Sequence, residues 1–237
     1  MLTQTDLRSR IAKAVSFLKS TREPHALLFM NLIYRRYGVK DFSEALARYD
    51  EVLTDHADAP KLRVLRRMAD ADNPLQPDDW DYVTFPKDRV LVAAMYCDRL
   101  ELPDSYAEVL AIEAEAGGYA LTHALLSYIF VQDNGCPLDL PEGFVEKMYA
   151  DVAAIVADRP GTINDIKLEA AAFLCLARQS ARVNLHFVRR VFEIQNKDGG
   201  WGKPDEGAGD PDGSSWHSTI LALILLHHVE PASYTVS

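Results

Sequence analysis

A histidine, a glutamate and a second histidine recur in this sequence at nearly equal intervals. His123, Glu169 and His217 each stand near the start of a strongly apolar segment, at separations of 46 and 48 residues. His25 opens the word His-Ala-Leu-Leu, which returns letter for letter at His123, and Asp165 lies one helical turn before Glu169. Imidazoles and carboxylates brought to one place bind a metal such as zinc or iron and leave a coordination position for water or substrate. The candidate metal ligands are therefore His123, His217, Asp165, Glu169 and His25. The competing expectation is that each of these residues merely caps the helix it opens.

The elements that must position them are helices. Apolar residues recur at i, i+3, i+4 and i+7, and this spacing predicts helices near 4–20, 24–37, 41–54, 60–70, 86–100, 103–115, 118–132, 143–157, 163–179, 183–197 and 215–228, with no strand. Helices with one charged face (143–157, 183–197) alternate with helices apolar nearly all round (118–132, 163–179, 215–228). A period of roughly 47 residues is a helix pair plus its loops, so the ligand candidates would stand on successive buried helices. Residues 70–85, rich in Asp and Pro, are expected to be an irregular insertion. The fold expected is all-α, one domain of helical hairpins over 1–237.

Composition agrees. The 237 residues are 48% hydrophobic and 25% charged, with only 12 Gly and 12 Pro, which favours helices over turn-rich β architectures. Lys plus Arg number 25 against 35 Asp plus Glu, a net charge of −10 that repels phosphate backbones, so nucleic acid is not an expected partner. Three cysteines without a CxxC pair encode neither a disulfide framework nor a thiolate zinc cage, and suit a reducing cytoplasm. The amino-terminal residues lack the apolar core of a leader, and the most apolar run, 220–226, is too short to span a bilayer. A cytoplasmic, unprocessed protein is expected.

One local motif has a physical role of its own. In Gln195 to Trp201, a glycine in the left-handed region can stop the helix ending near Lys197 while Trp201 folds back over helix ends and Gln195 bonds exposed backbone, stapling a hairpin. The segment VRRVFEIQNKDGGWG followed by SSWHSTILALILL resembles the repeat of the terpenoid cyclase and protein prenyltransferase superfamily, most clearly over 185–228. In squalene-hopene cyclases and their relatives an outer helix ends in Gln, Gly and Trp and an inner helix rich in Ala and Leu follows; Gln195, Asp198, Gly199, Gly200 and Trp201 carry the match.

That resemblance implies a small or incomplete α/α toroid with a central cavity for a small, partly apolar ligand, such as an isoprenoid. The aromatic residues Tyr119, Tyr128 and Trp216 on the expected inner helices would line it. Prenyltransferases of the superfamily hold zinc with an Asp and a Cys two residues apart and a later His. The resemblance places Asp165 and His217 in two of those roles, but Lys167 stands where the Cys is required, and an ammonium there would oppose a metal. The DxDD of proton-initiated cyclases is not reproduced, since Asp70–Asn73 and Asp78–Asp81 both depart from it.

Other constellations are weaker. The acidic loop 198–213 fails the EF-hand pattern at Ala208 and Thr219 and is expected to be a solvated loop at the cavity mouth. Cys97 and Cys175 fall in apolar runs, Cys136 in a loop, and Lys61, Arg63, Arg66 and Arg67 look like one solvated helix face. His186, His227 and His228 take structural roles. The alternatives to a ligand cavity with a rim metal are a non-catalytic helical-repeat module that binds a peptide or protein, and a carbohydrate-active barrel using Asp165 with Asp88. Oligomeric state is not legible.

Overall fold

A computed structural model describes residues 3–56, 58–159, 162–202 and 213–229. Within them the chain forms α1 (Gln4–Leu18), α2 (Pro24–Tyr37), α3 (Ala45–Leu53), α4 (Ala59–Leu65), α5 (Pro86–Tyr96), α6 (Tyr106–Ala116), α7 (Gly118–Asp133), α8 (Phe144–Ala157), α9 (Asp165–Leu176), α10 (Leu185–Glu193) and α11 (Trp216–His227). The all-α class holds. Boundaries follow local chemistry: Thr3 and Asp6 form a reciprocal capping box at α1, Pro24 opens α2, and Gly38 closes it at φ +70°.

Three local expectations are corrected. A short antiparallel pairing of Trp201–Gly202 (β1) with Ser214–Ser215 (β2), immediately before α11, stands where no strand was expected. The insertion at 70–85 contains a 3-10 helix, Pro77–Tyr82, and Asn73 within it is buried, donating to the Arg63 carbonyl and the Tyr96 hydroxyl. The basic run is not a solvated face either. Lys61 pairs with Asp88, Arg66 with Asp50 and Asp70, and the buried Arg67 with Asp98; Arg63 alone of the four is exposed.

Packing converts the sequence period into neighbours. Helix α6 packs on α7, α8 on α9 and α10 on α11, so each polar-faced helix covers the apolar helix that follows it. The apolar helices touch in the order α2, α11, α9, α7, α5, and the turn at Arg66–Met68 contacts both α5 and α2. Leu168–Leu176 and Ser218–Leu226 are buried throughout, so side chains of neighbouring helices fill the space around α9 and α11.

The glycine-tryptophan turn staples as its residues predict, but across a longer distance. Gly199, at φ +94°, makes the turn after α10; Trp201 is fully buried and its indole donates to the Val191 carbonyl at 2.7 Å. Gln195 donates to the carbonyls of Gly199 (2.7 Å) and Arg10 (2.9 Å), tying the turn to α1 as well as to its own hairpin. Residues 203–212 of the acidic loop lie outside the described residues.

Cys97 and Cys136 form a disulfide between the end of α5 and the loop after α7, contrary to the expectation of reduced thiols; Cys175 is free and buried. Their separation of 39 residues carries no motif, and only the packing of α5 on α7 brings them together. A disulfide suits an oxidising compartment better than a reducing one. Closing a loop of this length is worth about 4 kcal/mol, so reduction is expected to lower the unfolding midpoint by about 8 °C or more, read by calorimetry with and without reductant.

The histidines at the end of α11 are structural. His227 stacks on Tyr37 with ring centroids 4.6 Å apart, and the Tyr37 hydroxyl meets His228 Nε2 at 2.8 Å. Burial, with His228 alongside, pulls the His227 pKa down from 6.5 to about 4. The unfolded chain therefore binds this proton first, and stability is lost as pH falls from 6.5 toward 4. Chemical denaturation at pH 7 and pH 4.5 is expected to show His227→Phe, which keeps the stack, losing about 2 kcal/mol less than wild type.

Candidate metal centre

The first turns of α7, α9 and α11 meet at one end of the helix array, and there the residues spaced by one period come together. Capping belongs to others. Asn164 accepts the Lys167 amide at the head of α9, Ser215 accepts the His217 amide at the head of α11, and Gly117 precedes α7. Asp165, Glu169, His123 and His217 are thus free of capping duty and face one another.

Asp165 is held on three sides. Its Oδ1 accepts His217 Nδ1 at 2.9 Å and Ser218 Oγ at 3.3 Å, and its Oδ2 accepts the Tyr119 hydroxyl at 3.1 Å. Burial pushes this carboxyl up, but the bond to His217, its charge and the two hydroxyl donors outweigh burial and leave it below the usual range. Burial likewise pulls His217 down, and the hydrogen bond and charge of Asp165, with Glu169 behind it, carry it above its ordinary value. For Tyr119, burial and the adjacent carboxylates raise the phenol to about 12.

Glu169 is the buried member, 3% exposed. Its Oε1 accepts the Thr122 hydroxyl and lies 3.6 Å from His123 Nδ1. Burial raises its pKa against the opposing influence of His123, Thr122 and His217. Its Oε2 lies 3.8 Å from His217 Nε2, too far for a hydrogen bond. Nδ1 of His217 is spent on Asp165, so Nε2 presents its lone pair to this gap in the neutral tautomer.

One ligand atom from each of Asp165, Glu169 and His217 lies within 4.8 Å of the others. Ligands about 2.0–2.2 Å from a tetrahedral zinc stand about 3.3–3.5 Å apart, so the separation of Glu169 and His217 needs to close only slightly. An imidazole with carboxylates suits zinc or iron, and the bond from Asp165 to the far nitrogen of His217 is the outer-shell arrangement that orients metal-bound histidines. Glu169 and His217 could each offer one ligand atom to a divalent ion, with Asp165 behind the imidazole.

The structure sorts the remaining candidates. His123 sits at the edge: its Nδ1 meets the Tyr119 carbonyl at 2.7 Å, so the nitrogen nearest Glu169 is committed as a donor. His25 is outside the cluster; it bonds Glu23 at 3.1 Å and stacks on Trp216 with centroids 6.4 Å apart. Trp216 and Tyr119 flank the site, the indole edge-on to His217 and the phenol 45% exposed. Tyr128 is a correction: it lies toward the opposite end of α7, against Tyr149. Asp88, tied to Lys61, is not joined to Asp165.

Lys167 corrects the electrostatic objection to a metal. Its buried ammonium turns away from the site and donates to the backbone carbonyls of Asp158, Arg159 and Thr162, which close the end of α8. Thr122 and Ser218, both fully buried and bonded to the carboxylates, were missed. The signal was a hydroxyl beside each histidine in an otherwise apolar helix. No family model, curated protein or solved structure matches the chain.

Proposed function

We propose that this chain is a terpenoid cyclase- and prenyltransferase-like helical toroid that binds a divalent metal, zinc or iron, through Glu169 and His217 and acts on a small, partly apolar ligand. The observation that carries it is the gap between Glu169 Oε2 and His217 Nε2, flanked by Asp165, at the meeting point of three apolar helices. The cyclic order of contacts from α2 through α11, α9, α7 and α5 to Arg66–Met68 supports the toroid.

In such a site Asp165 holds the proton on His217 Nδ1 and fixes the imidazole plane, while the Thr122 hydroxyl holds the Glu169 carboxylate in place. Trp216 and Tyr119 give the mouth an apolar wall with one phenolic donor, kept protonated by burial and by its carboxylate neighbours. A bound divalent cation supplies Lewis acidity toward a carbonyl, a diphosphate or water.

Calorimetric titration of metal-stripped, tag-free protein with zinc and with iron(II) tests this reading. One equivalent of either should bind wild type, and binding should vanish in His217→Ala while helicity is retained. Absence of binding by both ions overturns it and leaves the peptide-binding helical-repeat module as the better account.

A further inference from the structure

A cleft lies at the other end of the same helices. Its volume is about 300 Å³, and it opens where the carboxyl ends of α7 and α9 meet α8, walled by Tyr128, Tyr149 and Leu176, with Gln132, Asp133 and Arg178 at its edge. That is the lower end of the size range of small-molecule pockets. Its lining has a definite chemistry, read from which polar groups are already committed.

Asp133 is committed to Arg36, and Arg182, which lies over the Tyr149 ring, is committed to Glu146 and Gln179. Among the described residues Arg178 makes no ion pair or side-chain hydrogen bond. It is the free charge of the cleft, a guanidinium on a chain of net charge −10. Tyr128 and Tyr149 meet edge to face at 6.4 Å, and among the described residues neither hydroxyl makes a hydrogen bond.

The backbone points to the same residue independently. Arg178 has φ +62°, the left-handed conformation that follows a helix and that glycine adopts without steric cost. The stop itself needs only main-chain atoms, the Gln179 amide closing onto the Leu174 carbonyl at 2.7 Å. Glycine would serve the backbone better. What arginine adds is its side chain, an exposed guanidinium on a residue that lines the cleft.

We propose that this cleft binds a small organic anion with a flat apolar body, an aryl carboxylate or aryl phosphate, its ring against Tyr128 and Tyr149 and its anionic group on the Arg178 fork. Arginine presents paired N–H donors in the geometry of a carboxylate or phosphate, and neutral phenols add donors without repelling an anion.

The test uses the full chain stripped of metal, so that its outcome is independent of the metal centre. Benzoate and phenyl phosphate are titrated by calorimetry, with benzyl alcohol and inorganic phosphate as controls. Saturable binding of at least one aryl anion, at least tenfold tighter than both controls, is expected. Arg178→Gly should lose that binding at least tenfold while its unfolding midpoint stays level or rises by about 2 °C. Tyr149→Leu should weaken both aryl anions alike. The proposal is overturned if neither aryl anion saturates, if the controls bind equally well, if Arg178→Gly binds as wild type does, or if Arg178→Gly melts lower, which would make the arginine a structural residue.

Discussion

Gly199→Ala is expected to lower the unfolding midpoint by about 10 °C, a loss of about 5 kcal/mol in a chain of this size. A Cβ on Gly199 would stand 2.4 Å from the Lys13 carbonyl oxygen and 2.7 Å from its carbon, backbone atoms of α1 that cannot rotate aside. Its φ of +94° adds strain for any other residue. Gly38 is the control. It is also left-handed, at φ +70°, but nothing lies within 4 Å of its virtual Cβ, so Gly38→Ala should cost only about 1 kcal/mol, near 2 °C. Equal shifts in the two variants, measured by calorimetry, would mean that α1 is not seated on the staple.

Glu169→Gln should cut zinc affinity on the order of 1000-fold, about 4 kcal/mol, without destabilising the metal-free protein at pH 7. Burial raises the Glu169 pKa, so the folded state holds this proton more tightly than the unfolded chain does. That contribution is present below the ordinary carboxyl range and is lost as pH rises through the raised folded value. Ionised Glu169 is costly in this buried position and a cation would relieve that cost, and glutamine removes the charge while still accepting from Thr122. Asp165→Asn, acting through His217, should cost only about 10–100-fold in zinc affinity. Zinc titrations of both variants beside urea denaturation check the pair. Unchanged affinity in Glu169→Gln would sink the metal assignment, and a large loss of metal-free stability would make Glu169 a structural partner of Thr122.

Much of the site was legible because a repeat is a statement about space. Residues one period apart occupy equivalent places on successive apolar helices, so the spacing of His123, Glu169 and His217 already implied convergence. His25 shared the tetrapeptide but not the neighbourhood, because α2 meets α11 through Trp216 and leaves the imidazole beside Glu23. Tyr128 was misplaced for a related reason. An aromatic residue on an apolar helix reads the same at either end, and nine residues along α7 carry it from the surroundings of Tyr119 to the opposite cleft.

Helix periodicity, the polar-faced and buried classes, the glycine-tryptophan staple and the spacing of the acidic and imidazole groups are properties of the sequence itself, since each rests on contacts within a few turns or on a repeated length. Direction and pairing were decided only by the tertiary structure. The ammonium of Lys167 turned from the site to the carbonyls ending α8, the thiols of Cys97 and Cys136 met because α5 packs on α7, and Gln195 reached across to Arg10. Each depends on which helix lies alongside, and a side chain within reach of several acceptors takes the one that packing leaves buried and unpaired.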